Sequence, residues 1–149
     1  MYGTMKSKCL DLYIDNYKHI YASMDLEFSK MKQYFSERID NERIIITNDK
    51  INDWRNILQK LDIKKEVLFI IYPKDDQWGV RAISKYKFTN RKDLEDEDIL
   101  RKEVNDDLVF AHTHKFIAVC KTKDAVIRCA KISLPKEDAS KNLHRMKIS

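Results

Sequence analysis

The sequence predicts an α/β (α+β) fold: a long N-terminal helix, a mixed sheet of about five strands with a hairpin, and a C-terminal helix packed on the sheet. Three observations predict it. Apolar residues repeat with helical period from Leu10 to Phe35. A near-continuous apolar run from Glu66 to Tyr72 precedes an alternating segment from Trp78 to Ser84. Two further β-type runs flank Thr113-His114-Lys115 and lead into an amphipathic segment that Pro135 ends.

The first helix is read over Thr4 to Ile39. Leu10, Tyr17, Met24 and Met31 recur every seven residues, and Ile14, Tyr21, Phe28 and Phe35 interleave with them. One apolar stripe results, with charges on the other face. The regularity raises a coiled coil, but rings at half the seam positions fit a broad surface laid over a sheet or a neighbouring domain better. Asp40-Asn41-Glu42 ends the helix, so residues 1–40 form one unit. Arg43 to Thr47 is a β-branched strand. Asn52 or Asp53 caps a short helix with Trp54, Ile57, Leu58 and Leu61 on one side.

Glu66 to Tyr72 reads as a central strand buried on both faces. Pro73 to Gln77 has the composition of a turn, and Trp78 to Ser84 is the hairpin partner. Lys85 to Arg91 is a basic loop containing Tyr86 and Phe88, and the acidic segment Asp93 to Asp107 holds a short helix within Leu94 to Val104. Leu108 to His112 and Phe116 to Cys120 are strands around a turn. Thr122 caps the last helix, with Asp124 in its first turn and Lys131 near its end, both favourable to the helix dipole. Residues 41–135 thus make one α/β domain, and 136–149 are a basic tail expected to fray.

Composition excludes several classes. With 149 residues and 43% hydrophobic content the chain can bury one domain core. The net charge of +5 permits an acidic partner without demanding one, because 24 acidic residues accompany 29 basic ones. Gly3 and Gly79 are the only glycines, so no phosphate-cradling glycine loop can be written. Cys9, Cys120 and Cys129, odd in number and without close pairing, point to reduced thiols in an intracellular protein. No apolar run is long enough for a membrane span, and no targeting signal is evident.

The residues with most chemical potential lie between Val109 and Ala130. His112 and His114 would share a face on one strand, as metal ligands do, but the turn at Thr113 to Lys115 breaks that relation. Nothing in the spacing builds a Cys-His nucleophile. Arg81, Lys85, Lys87, Arg91, Lys115, Lys121, Lys123 and Arg128, interleaved with Tyr86 and Phe88, could follow a nucleic-acid backbone and stack bases, or form an ordinary soluble surface.

Specific order emerges across several short motifs. Tyr72 is followed by Asp75-Asp76 and Gln77-Trp78; then come Phe88-Thr-Asn-Arg91-Lys92, Phe110-Ala-His112 with Phe116-Ile117, and Lys121-Thr122-Lys123-Asp124. Trp54-Arg55 with Leu58 precedes them. Together they resemble the C-terminal half of the melanocyte-proliferating-gene family, a group of DHH-type phosphoesterase relatives catalogued as metal-dependent protein hydrolases. Its eukaryotic members are described as three-prime-to-five-prime RNA exonucleases of nucleus and mitochondrion. The likeness runs from about Tyr17 to Ile132.

The resemblance implies a substrate-side domain, with substrate contacts at Arg91, His112, Lys121 and Thr122 and with RNA or a nucleotide as ligand. The family's catalytic half, with its His-x-Gly-x-Phe-His-x-Asp-Glu and Asp-His-His-type segments, has no counterpart here. No catalytic residue and no metal ligand is therefore assigned to this chain. Manganese or magnesium is expected only in that missing half. The family also carries glycines where this chain has Lys115, Ala118, Val119 and Ala125, and side chains there restrict close approach of a phosphate to the backbone. Two rival readings remain. One is a docking module that binds the catalytic half or a second copy through the Leu10–Phe35 stripe. The other is a standalone RNA-binding module.

Overall fold

The computed structural model describes residues 24–87 and 89–136. The expected helix over residues 4–23, Phe88 and the tail from 137 onward lie outside the described residues. Helix α1 occupies residues 24–36. It ends in a tight reversal: Asp40, Asn41 and Glu42 all adopt positive φ, and Ile39 bridges back to Ile44. Short polar side chains tolerate this conformation, as Asp40 and Asn41 illustrate.

The elements that follow are β1 (Ile44–Ile46), α2 (Trp54–Leu61), β2 (Phe69–Lys74) and β3 (Gln77–Ala82). After them come β4 (Ser84–Tyr86), β5 (Thr89–Asn90), α3 (Glu97–Val104), β6 (Leu108–Ala111), β7 (Ile117–Cys120) and α4 (Lys123–Ile132). The main sheet has the order β1-β2-β3-β7-β6, and β4 pairs with β5 in a separate hairpin. The chain is α+β, and its sheet is mixed: β1 and β2 run parallel, joined across α2, and every other pair is antiparallel.

Each face of the sheet carries its own core. One face contributes Ile44, Phe69, Ile71, Val80, Ala82, Ala118 and Cys120, covered by Leu100 and Val104 of α3 and by Val126, Cys129 and Ala130 of α4. Among the described residues, helices cover the other face on its β1–β2 side only. There Ile45 and Ile70 pack with Met31 of α1 and with Ile57 and Leu58 of α2, while Phe28, Tyr34, Phe35 and Trp54 seal the edge. The C-terminal part of the long stripe is therefore used on the chain's own sheet.

Three boundaries differ from expectation. Pro73 lies within β2, paired with Trp78, so the turn shrinks to Asp75-Asp76 with Asp75 at φ 53°. Proline lacks an N–H, yet the N–H···O ladder skips alternate positions of an antiparallel pair, so this one tolerates it. The basic loop expected from Lys85 to Arg91 contains the β4–β5 hairpin, which is too short to leave a periodic signal. Asp53 precedes α2 as expected but makes no capping bond; its carboxylate accepts from the Asn56 side chain at 2.7 Å. Thr122 does cap α4, accepting from the Ala125 N–H at 3.2 Å.

Candidate functional site

The half of the sheet left bare by α1 and α2 carries the site. Register fixes its floor. Tyr72, Gly79, Val119 and Phe110 are successive cross-strand neighbours, and Arg81 pairs with Ile117 beside them. The Tyr72 ring lies directly against β3: a Cβ at Gly79 would sit 2.6 Å from Tyr72 Cζ. Glycine is needed here for close approach rather than for a turn. Burial raises the Tyr72 pKa from its ordinary value, while Arg81 and then Arg55 pull it back.

At the open end of β6 and β7 the chain turns through His112 to Lys115. The Lys115 N–H donates to the His112 carbonyl at 2.9 Å, and Lys115 takes φ 61°. The His114 N–H donates to His112 Nδ1 at 3.0 Å. An imidazole accepting at Nδ1 in its neutral form carries its proton on Nε2. The His112 ring packs 4.3 Å from Phe116, 5.2 Å from His114 and 6.1 Å edge-on from Phe110. Phe110 is nevertheless 47% exposed, so a large apolar ring remains at the rim.

Beside this cluster lies a cleft of ≈ 680 Å³ whose walls include Arg55, Arg81, Ser84, His114, Phe116 and one acid, Asp93, whose carboxylate accepts from the Asn90 side chain at 2.9 Å. Arg81 stands 5.5 Å from the Phe116 ring centre and Arg55 stands 4.9 Å from that of Trp54. Neither guanidinium forms an ion pair among the described residues. Burial, and then repulsion from Arg55, lower the Arg81 pKa from its usual value. Arginine remains a cation at neutral pH, so two mutually repelling cations line one cleft, and an anion placed there relieves the repulsion.

The model of the MYG1 exonuclease family, described as an uncharacterised protein family (UPF0160), matches residues 5–134. The chain belongs to this family. No curated protein matches the chain. Among solved structures, RecJ from Thermus thermophilus in complex with Mg2+ is similar at 11% identity and a TM-score of 0.42. That match covers 77% of this chain and 19% of RecJ, so the chain spans about a fifth of that protein's length.

The four substrate contacts expected from the sequence do not converge. His112 is in the aromatic cluster. Lys121 and Thr122 follow the other end of β7, where the Lys121 N–H donates to the Asp107 carbonyl and Thr122 caps α4. Arg91 turns inward: its guanidinium pairs with Asp62 and donates to the Val67 carbonyl at 2.8 Å. Other members of the basic group are also engaged, Lys115 with Asp96, Arg128 with Glu103 and Lys123 with Asn48. Arg55 takes their place in the site. Its signal was present in the Trp54-Arg55 motif, although no local charge cluster marks it.

At the four positions where the resemblance implies glycine, the structure separates two effects. Lys115 occupies the left-handed conformation that favours glycine. Ala118 and Ala125 have their side chains in the α3–α4 core. Val119 lies on the floor of the open face and is buried.

Among the described residues, no three His, Cys, Asp or Glu side chains could hold a metal ion. Cys120 and Cys129 lie 3.7 Å apart, sulfur to sulfur, and both are fully buried in the α4 core. No helix of the described residues is long and apolar enough to cross a membrane.

Proposed function

We propose that this chain is the substrate-side part of a DHH-like metal-dependent exonuclease. In this reading it holds a single strand of RNA for a catalytic half that carries the manganese or magnesium. The observation that carries the reading is the pair of guanidiniums without a carboxylate partner among the described residues, Arg55 and Arg81, in one cleft with Phe116 and His114. A phosphate answers the charge. A base answers the exposed rings, because stacking on an aromatic side chain tolerates any sequence. Family membership supports the exonuclease context, and the described residues themselves offer binding groups without hydrolytic ones. On the same reading the protein works inside the cell, in nucleus or mitochondrion.

Binding of labelled single-stranded RNA to the full chain tests this. Affinity is expected to fall with rising salt, and Arg81→Ala to lower it by about tenfold, as loss of a charge-assisted phosphate contact does. No binding at low ionic strength would eliminate the reading.

A second reading, docking through the N-terminal stripe onto a catalytic half or a second copy, has support of its own. Met24, the stripe residue at the start of α1, is 50% exposed. Sedimentation at several concentrations discriminates: a strict monomer across the range counts against self-association.

A further inference from the structure

A second cleft, of ≈ 710 Å³, opens between α2 and the β4–β5 hairpin, with Trp54, Gln59, Ile63, Lys65 and Lys85 in its walls. It shares Arg55 and Ser84 with the first cleft, so the two meet at one guanidinium. We infer that the two clefts form one track for a single-stranded oligonucleotide, the second holding the nucleotide next to the one bound at Arg81 and Phe116. The inference rests on the nucleic-acid reading of the first cleft and extends it to a longer ligand and a new set of residues.

The charges support a track. Lys65 and Lys85 have no carboxylate partner among the described residues. The one acid in the walls, Asp62, is fully occupied. It pairs with Arg91, accepts the N–H groups of Glu66 and Val67 at 2.9 and 3.1 Å, and is 3% exposed. It therefore neutralises Arg91 and repels little else. The charges of the second cleft without a carboxylate partner among the described residues, Arg55, Lys65 and Lys85, are all positive, and Arg55 is shared with the first cleft. Half-buried Trp54 and the 82%-exposed Ile63 add apolar surface on which a base can lie. Alternating cations and apolar surface along a groove are the elements of sequence-tolerant single-strand binding. A mononucleotide would fill only the first cleft.

The test compares uridine monophosphate with a short oligouridylate on the full chain, each measured across a salt series. Lys65→Gln/Lys85→Gln is expected to weaken the oligomer by about tenfold and to flatten its log–log salt slope by about 1.4, two single-strand phosphate contacts at about 0.7 each. Its affinity for the monophosphate stays within about twofold of the unmodified chain. Trp54→Ala, whose folding is checked by circular dichroism, is expected to weaken the oligomer selectively by about tenfold. Arg81→Ala weakens both ligands. If Arg81→Ala weakens both while the lysine variant leaves the oligomer's affinity and slope unchanged, the track is overturned and the first cleft stands. If Arg81→Ala weakens neither, the underlying reading fails as well.

Discussion

Gly79 shows how one missing methyl group can set a site. The Tyr72 ring occupies the space a β-carbon would need, 2.6 Å from its nearest atom. Gly79→Ala is expected to cost about 1–3 kcal/mol, because Tyr72 must leave its position or the strands must part. In a Tyr72→Ala background the same change should cost less, since the clash is gone. A double-mutant cycle by chemical denaturation measures the difference, and strict additivity would refute the contact. Asp62 and Arg91 show the opposite case, a charge pair withdrawn from solvent. Asp62→Ala is expected to cost about 3–5 kcal/mol because it strands a guanidinium that is largely buried. Arg91→Ala should cost less, since the Asp62 carboxylate keeps two backbone donors. Equal losses in urea titrations of the two variants would contradict this ordering.

Among the elements, α1 decides how the open face comes to exist. Its Met31 is fully buried against Ile45 and Ile70, which places the helix over the β1–β2 side, and no described helix packs on that face of β3, β7 and β6. Met31→Ala is expected to destabilise the domain by about 2–5 kcal/mol, the usual range for emptying a methionine site in a core. Loss of less than about 1 kcal/mol in thermal or urea unfolding would mean that the helix is a separate unit. The β6–β7 turn is the other decisive element. Its left-handed residue is Lys115 rather than glycine, and the ion pair of Lys115 with Asp96, together with the Leu94 N–H donated to the Lys115 carbonyl, ties it to the segment before α3. The turn that presents His112 and His114 is thereby held by a side-chain ion pair and a backbone hydrogen bond.

For the molecule as a whole, binding and hydrolysis are expected to separate. The purified chain should bind single-stranded RNA yet show no turnover with manganese or magnesium, because no three metal-ligating side chains converge among the described residues. Robust metal-dependent hydrolysis that His112→Ala abolishes would overturn that division. The sequence by itself determined the fold class, the hairpin of β2 and β3, the Thr122 cap and the family, because apolar periodicity and short ordered motifs are local properties. It pointed to His112 for the same reason. Only the tertiary structure decided which cations meet a partner among the described residues. Arg91, Lys115, Lys123 and Arg128 look identical to Arg81 in a linear reading, yet each meets a partner brought from another part of the chain. Arg55 and Arg81, 26 residues apart in the numbering, share a cleft because α2 packs over β1 and β2 on the same face of the sheet that carries Arg81 of β3. Charge pairing depends on distance in space, and the order of residues does not encode it locally.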